Sequence, residues 1–174
     1  MIPHSIEDWF YKYEKDVTSF LIYYTGTLDV EDLVQDTFLI ALKSISAFKG
    51  ESHPKTWLIT IARNQVLDTY RRRKLWSRLT HLLHLKEEPS DEVAAWLVRN
   101  QEADALYQAI RQLSRKNREV VILRGILEMS SKEVSAIVNL TENAVNVMFH
   151  RALKKLRQLL EEEESAHGKN ERIT

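Results

Sequence analysis

A chain of 174 residues with 44% hydrophobic and 29% charged side chains, its 25 Lys and Arg balanced by 25 Asp and Glu, has material for one ordinary domain or two small ones and is too apolar to be disordered. No window reaches the roughly 18 to 20 apolar residues of a membrane span, and residues 1–10 (MIPHSIEDWF) lack the basic start and apolar run of a secretory signal, which excludes direct membrane insertion and makes the cytoplasm the expected compartment. Zero cysteines exclude disulfides and thiolate chemistry, and four glycines and three prolines without a hairpin dipeptide leave little turn chemistry for a sheet, so the expected fold is all-α.

The zero net charge hides a segregation. Residues 1–42 hold two cations against eight carboxylates, residues 43–78 nine against two, residues 87–104 one against six, and residues 105–160 ten against four. Two basic blocks separated by an acidic one are a common electrostatic footprint of nucleic-acid binders, although solvated helix faces give the same counts.

In chain order, Trp9, Phe10, Tyr13, Val17, Phe20, Leu21 and Tyr24 recur at three- and four-residue steps and predict a first helix that Gly26 ends. Asp29 is placed to cap a second helix, whose positions Leu33, Val34, Phe38, Ala41, Leu42 and Ile45 face inward while Glu31, Asp32, Gln35 and Asp36 face out. Ser52 and Pro54 are start signals for a third, TWLITIARNQVLDTYRRRK, residues 56–74. At 100° per residue its core face is Leu58, Ile59, Ala62, Val66 and Tyr70, and the opposite stripe is Thr60, Asn64, Asp68 and Arg71, with Trp57 at the edge. A stripe with an amide, an aromatic near its start and cations at its end can hold single-stranded DNA, which needs a stacking surface or hydrogen-bonding pocket and positive charge. Cations also complement a helix C-terminus, which accounts for one or two of the four at residues 71–74.

The following LWSRLTHLLHL extends this helix or docks on it, and KEEPSDE, residues 86–92, is the expected linker. A second unit opens with Ala103, Leu106, Ile110 and Leu113 on one helix and Val120, Val121, Leu123, Arg124, Ile126 and Leu127 on another. Ser130 and Glu133 have capping-box spacing ahead of inward Val134, Ile137 and Val138. Asn139 stands where a sharp turn needs positive φ, Leu140 plugs the turn, and Thr141 caps a last helix with Val145, Met148, Phe149, Ala152, Leu153 and Leu156 at helical spacing. The pattern is helix-turn-helix, or an ordinary helical hairpin. Its outward face is Glu142, Asn143, Asn146 and His150, followed by Arg151, Lys154 and Lys155, polar base-reading candidates followed by phosphate-reaching cations.

Three segments together, VEDLVQDTFLIAL at residues 30–42, Phe48-x-Gly50 leading into TWLITIARNQVLDTYRRRK, and EVSAIVNLTENAVNVMFHRALKKLRQLL near the C-terminus, resemble the extracytoplasmic-function (group IV) sigma factors of the sigma-70 family, in the family's order and spacing. The wording around KTWLITIAR is most similar to Bacillus-type members. The resemblance implies two small helical domains, residues 1–76 and 101–162, joined by a linker over 77–100 and followed by a charged tail over 163–174. It implies a promoter-specificity subunit of RNA polymerase acting in an envelope or stress response. Glu31, Asp32, Leu33, Gln35, Asp36 and Phe38 would lie at or support the interface with the polymerase β′ clamp helices. Asn64 would capture the flipped minus-10 base, with Lys55, Trp57, Thr60, Arg63, Asp68 and Arg71 around it, Trp57 by packing more than by base contact. The C-terminal unit would dock on the β flap and read duplex minus-35 DNA through Thr141, Glu142, Asn143, Asn146, His150, Arg151 and Lys154. Promoter DNA and core polymerase are the implied partners, with a dedicated anti-sigma factor, in this family often membrane-anchored. Where family recognition helices often read Thr-Val-Lys-Ser-Arg, this chain has Ala144, Val145, Asn146, Val147 and Met148, and Asn139 replaces a turn glycine.

No metal or other cofactor is expected, since His81 and His84 form a lone pair without a third ligand. No phosphate loop, nucleophile elbow or carboxylate pair points to catalysis, and Glu161 to Glu164 is read as a solvated, frayed end. Two rivals remain at this stage: a conventional helix-turn-helix regulator, and an antagonist that mimics a sigma domain and binds polymerase without binding specific DNA.

Overall fold

The computed structural model describes the backbone of residues 6–83 and 101–170, with side chains over 6–72 and 105–162. Every regular element among them is helical. The chain divides into two compact units, residues 1–92 and 93–174. The expected linker at residues 86–92 and His84 lie outside the described residues, as does the side chain of His81.

In the first unit, α1 (Ile6–Thr25) buries Trp9, Tyr13, Val17, Phe20, Leu21 and Tyr24, the face its periodicity predicts, with Phe10 half-buried at the margin. It stops at Gly26, whose φ of 80° lies in the left-handed region that glycine enters without steric cost. Helix α2 (Glu31–Ser44) starts without the expected Asp29 cap. Val30 occupies the cap position with no side-chain hydrogen bond, and Asp29 sits one residue too early, its N–H donating to Thr27 Oγ1 at 3.2 Å. Burial of Val30 fixes the entry instead, while Glu31 and Asp32 place negative charge at the positive end of the helix dipole.

The buried strip of α2 is Val34, Thr37, Phe38 and Ala41, narrower than expected, and Leu42 and Ile45 turn outward. Ile45–Ala47 forms a single 3-10 turn. Thr37 is tolerated inside because its hydroxyl is saturated: it donates to Leu33 O at 2.7 Å and accepts from Gln65 Nε2 at 3.0 Å, tying α2 to α3.

Helix α3 (Pro54–Leu83) begins with the one residue that has no N–H to leave unpaired. His53, not Ser52, is the capping side chain, its Nδ1 accepting from Lys55 N–H at 3.3 Å. The helix buries Thr56, Leu58, Ile59, Ala62 and Val66. Tyr70, one turn on, continues that face beyond the buried interior and is 62% exposed, against expectation. The segment after Lys74 prolongs α3, so residue 76 falls inside a continuous helix.

In the second unit, α4 (Gln101–Gln112) buries Tyr107, Ala109 and Ile110, while Leu106 is exposed, contrary to its predicted inward position. Arg118, on α5 (Arg115–Val121), donates to the carbonyls of Ile110 and Leu113 at 3.3 Å each and to that of Arg111, collecting acceptors that the end of α4 leaves open. Helix α5 then widens into a π-helical turn, Ile122–Ile126, closed by Leu127 N–H to Ile122 O at 2.9 Å. Adjacent Val120, Val121, Ile122 and Leu123 are all buried, a run that a regular helical stripe could not place on one face.

Helix α6 (Ser131–Val138) carries the predicted capping box: Ser130 Oγ accepts from Glu133 N–H at 3.2 Å, and Glu133 Oε2 accepts from Ser130 N–H at 2.8 Å. Asn139 ends it at φ 56°, ψ 52°, and Leu140 N–H returns to Ser135 O at 3.1 Å. Thr141 Oγ1 accepts from Ala144 N–H at 3.2 Å and caps α7 (Glu142–Asn170), which buries Val145, Ala152, Leu156 and Leu159. Leu153 points outward, after Leu42 and Leu106 a third leucine at core spacing that the structure exposes. Glu161 to Glu164 belong to a helix that continues through Asn170, so this stretch is not the helix end it was expected to be.

The left-handed turn is a point of direct control over the helix pair. Replacing Asn139 by Val is expected to cost about 1–2 kcal/mol, because a branched Cβ crowds the carbonyl at positive φ. Asn139→Gly is expected to be neutral or better, and urea denaturation followed by circular dichroism distinguishes the two.

Candidate functional surfaces

The predicted stripe on α3 is assembled but unevenly presented. Asn64 is exposed, with Thr60 half-buried one turn before it, its hydroxyl donating to Thr56 O at 2.8 Å. Asp68 and Arg71 form an exposed ion pair at 2.9 Å, so each holds the other upright beside Asn64. Lys55 Nζ lies 2.8 Å from Asp16 on α1, which anchors the start of α3, and Arg63 is half-buried. Trp57 packs into an aromatic cluster, 6.0 Å from Trp9 and 5.1 Å from Phe48, with Trp9 and Phe48 edge-on at 5.0 Å. This cluster pins the segment between the 3-10 turn and α3, where Gly50 takes φ 71°.

On α2, Glu31, Asp32, Gln35 and Asp36 are exposed in a polar row, Leu33 is half-buried and Phe38 is buried. Beside the row the structure opens a groove of about 580 Å³ between α1 and α2, lined by Ile6, Glu7, Phe10, Tyr11, Gln35, Phe38, Leu39 and Leu42. Phe10 meets Phe38 at 4.9 Å and Tyr11 at 5.9 Å, both edge-on, forming its floor and wall. Tyr11, Leu39 and Leu42 are 78%, 50% and 54% exposed, a wet apolar lip next to four polar or acidic side chains. Such a surface suits a partner helix with an apolar ridge flanked by cations. Sequence reading missed Tyr11, Leu39 and Leu42. The available signal was that apolar residues of α2 (Leu33, Val34, Phe38, Leu39, Ile40, Ala41, Leu42) occupy more of the circumference than one core contact covers.

On α7, Thr141, Glu142, Asn143, Asn146, His150, Arg151 and Lys154 are all exposed. They do not act alone: Thr141 uses its hydroxyl as the cap, and Asn146 Oδ1 accepts the hydroxyl proton of Ser131 from α6. Behind this face, the Arg124 guanidinium lies 5.4 Å over the Phe149 ring and donates to Met129 O at 2.6 Å. It thus joins the π-helical turn, the entry to α6 and the inner side of α7, a role that its place in the predicted helix with Val120 to Leu127 does not reveal.

Residues 9–75 match the family model for sigma-70 region 2, and residues 103–156 match that for sigma-70 region 4. The chain is 32% identical over 157 residues to the RNA polymerase sigma factor YlaC of Bacillus subtilis, covering 88% of this chain and 91% of that protein. It is likewise 32% identical over 160 residues to the ECF RNA polymerase sigma factor SigX of the same organism, covering 86% and 80%. Its fold is similar to that of the sigma factor RpoE in the co-crystal structure with the anti-sigma factor NepR from Bartonella quintana, with a TM-score of 0.74 at 24% identity over 89% of this chain and 96% of that one. The two helical units therefore define a sigma-70-type promoter-specificity factor. The chain belongs to the extracytoplasmic-function group of the sigma-70 family of RNA polymerase sigma factors.

Proposed function

We propose a division of labour in which the α1–α2 groove docks on core polymerase, the α3 stripe captures melted minus-10 DNA, and the α6–α7 pair reads the minus-35 duplex. The groove is matched to the β′ clamp helices: Tyr11, Leu39, Leu42 and Phe38 offer an apolar seat, and Glu31, Asp32, Gln35 and Asp36 a polar and acidic rim. Asn64 presents hydrogen-bonding groups of both signs to an unstacked base, with Thr60, Arg63, Asp68 and Arg71 nearby on α3, Lys55 at its start and Trp57 bracing the helix. On α7, Glu142, Asn143, Asn146 and His150 reach base edges while Arg151 and Lys154 neutralise phosphate. The second unit docks on the β flap.

Polymerase performs the chemistry and this subunit supplies address and melting, without catalysis of its own. Its proposed place is the cytoplasm; among the described residues no helix is long and apolar enough to cross a membrane. An anti-sigma factor is the proposed regulator, supported by the relative found in complex with one.

The observation that carries the reading is the occurrence of both sigma-70 regions, in order, on the two helical units of one chain. Transcription with purified core polymerase over fragments of the host genome tests it. Added protein is expected to create discrete start sites preceded by two shared sequence boxes, and the absence of any promoter-specific start refutes the proposal.

A further inference from the structure

Two serines open α6, and only the first is needed to cap it. Ser130 closes the capping box with Glu133. Ser131, the first helical residue, instead sends its hydroxyl across the turn to Asn146, fifteen residues later on the outward face of α7. An exposed asparagine is free to rotate its side chain and to exchange its oxygen and nitrogen ends by a half-turn, so alone it offers a base edge either a donor or an acceptor. The contact removes that freedom. The hydroxyl donates to Asn146 Oδ1 at 2.5 Å, so the amide oxygen is the end turned toward α6. The NH2 end is left facing outward.

We propose that Ser131 is a positioning residue for minus-35 recognition, holding Asn146 as a donor so that it discriminates against cytosine on the strand it faces. In the major groove guanine and adenine present the N7 acceptor and thymine presents O4, whereas cytosine presents only its N4 donor. A donor fixed in advance gains discrimination because the ordering cost of the side chain is met in the free protein. The inference rests on the reading of α7 as the duplex-reading helix, and it adds a residue of α6 that the outward face of α7 does not itself contain.

The test uses full-length protein in holoenzyme with core polymerase, selecting bound promoters from a library randomised across the upstream box and sequencing them. Wild-type protein is expected to show a preference against cytosine at one position that Asn146→Ala erases. Ser131→Ala is expected to weaken that preference about three- to tenfold and leave neighbouring positions unchanged, the loss appropriate to freeing one side chain. Ser131→Thr, which keeps the hydroxyl, is expected to retain it. A Ser131→Ala profile identical to wild type overturns the proposal, as does a uniform loss at all positions, which signals only a structural role. A preference for cytosine at the Asn146-dependent position overturns the donor assignment. If Asn146→Ala itself leaves the profile unchanged, the reading of Asn146 fails first, and the role of Ser131 fails with it.

Discussion

Changing Leu42 to Glu is expected to lower the affinity of this sigma factor for core polymerase by about two orders of magnitude while leaving its own stability within about 0.5 kcal/mol. Leu42 lies 54% exposed on the lip of the α1–α2 groove, so in the free protein the substitution disturbs no packed interior. In the proposed docked state the same side chain would lie against the apolar ridge of a partner helix, where a carboxylate would lose its water facing hydrocarbon. Removing a central apolar anchor alone costs about 2 kcal/mol or more, and the stranded charge adds to it. Leu39→Glu acts in the same way, because Leu39 shares the lip. Titration of labelled core polymerase, paired with thermal denaturation of the free variant, separates docking from folding. Wild-type affinity in both variants would place the polymerase interface elsewhere.

Asn64→Ala has the opposite profile. It is expected to leave core affinity unchanged and to slow open-complex formation at a cognate promoter by about tenfold to a hundredfold, the range for a base that loses its paired hydrogen bonds. The exposed amide contributes no burial to the folded protein, and α3 is held by Leu58, Ile59, Ala62 and Val66 on its other side. Arg71→Ala, by contrast, is expected to weaken binding across promoter sequences and flatten the salt dependence, as loss of a phosphate contact would, since such a contact carries little sequence information. Stopped-flow fluorescence of a base analogue in the minus-10 box reads the first effect directly. An unchanged rate in Asn64→Ala would remove base capture from this residue.

Local chemistry was legible where it was self-contained. The Ser130–Glu133 box, the left-handed Asn139 and the Thr141 cap each need only neighbours within four residues, and each stands in the structure as the letters predict. The burial faces of α1 and of α3 as far as Val66 follow from periodicity alone. Periodicity gives the direction of a side chain but not whether another helix reaches it. Leu42, Ile45, Tyr70, Leu106 and Leu153 all point along apolar sectors and all end up exposed. Two of the polar residues inside the units were invisible for a complementary reason: Thr37 and Glu119 are buried, and for Thr37 the partner that makes this tolerable, Gln65, is 28 residues away. The positive φ of Glu128, just after the π-helical turn, has no residue signature of its own, since neither a Gly nor an Asn stands at that position. For the candidate surfaces, sequence reading named the polar rows on α2, α3 and α7. It could not name the groove beside the first or the Ser131 contact behind the last, because both are made by residues from two helices.

The most direct measurement is a combined protection and thymine-oxidation footprint on a promoter recovered by transcription with core polymerase. Protein and core together are expected to protect two separated boxes, and thymines in and just downstream of the minus-10 box to become reactive as the strands part. Protection of a single duplex box by the protein without polymerase, with no reactive thymines when polymerase is added, would contradict that expectation.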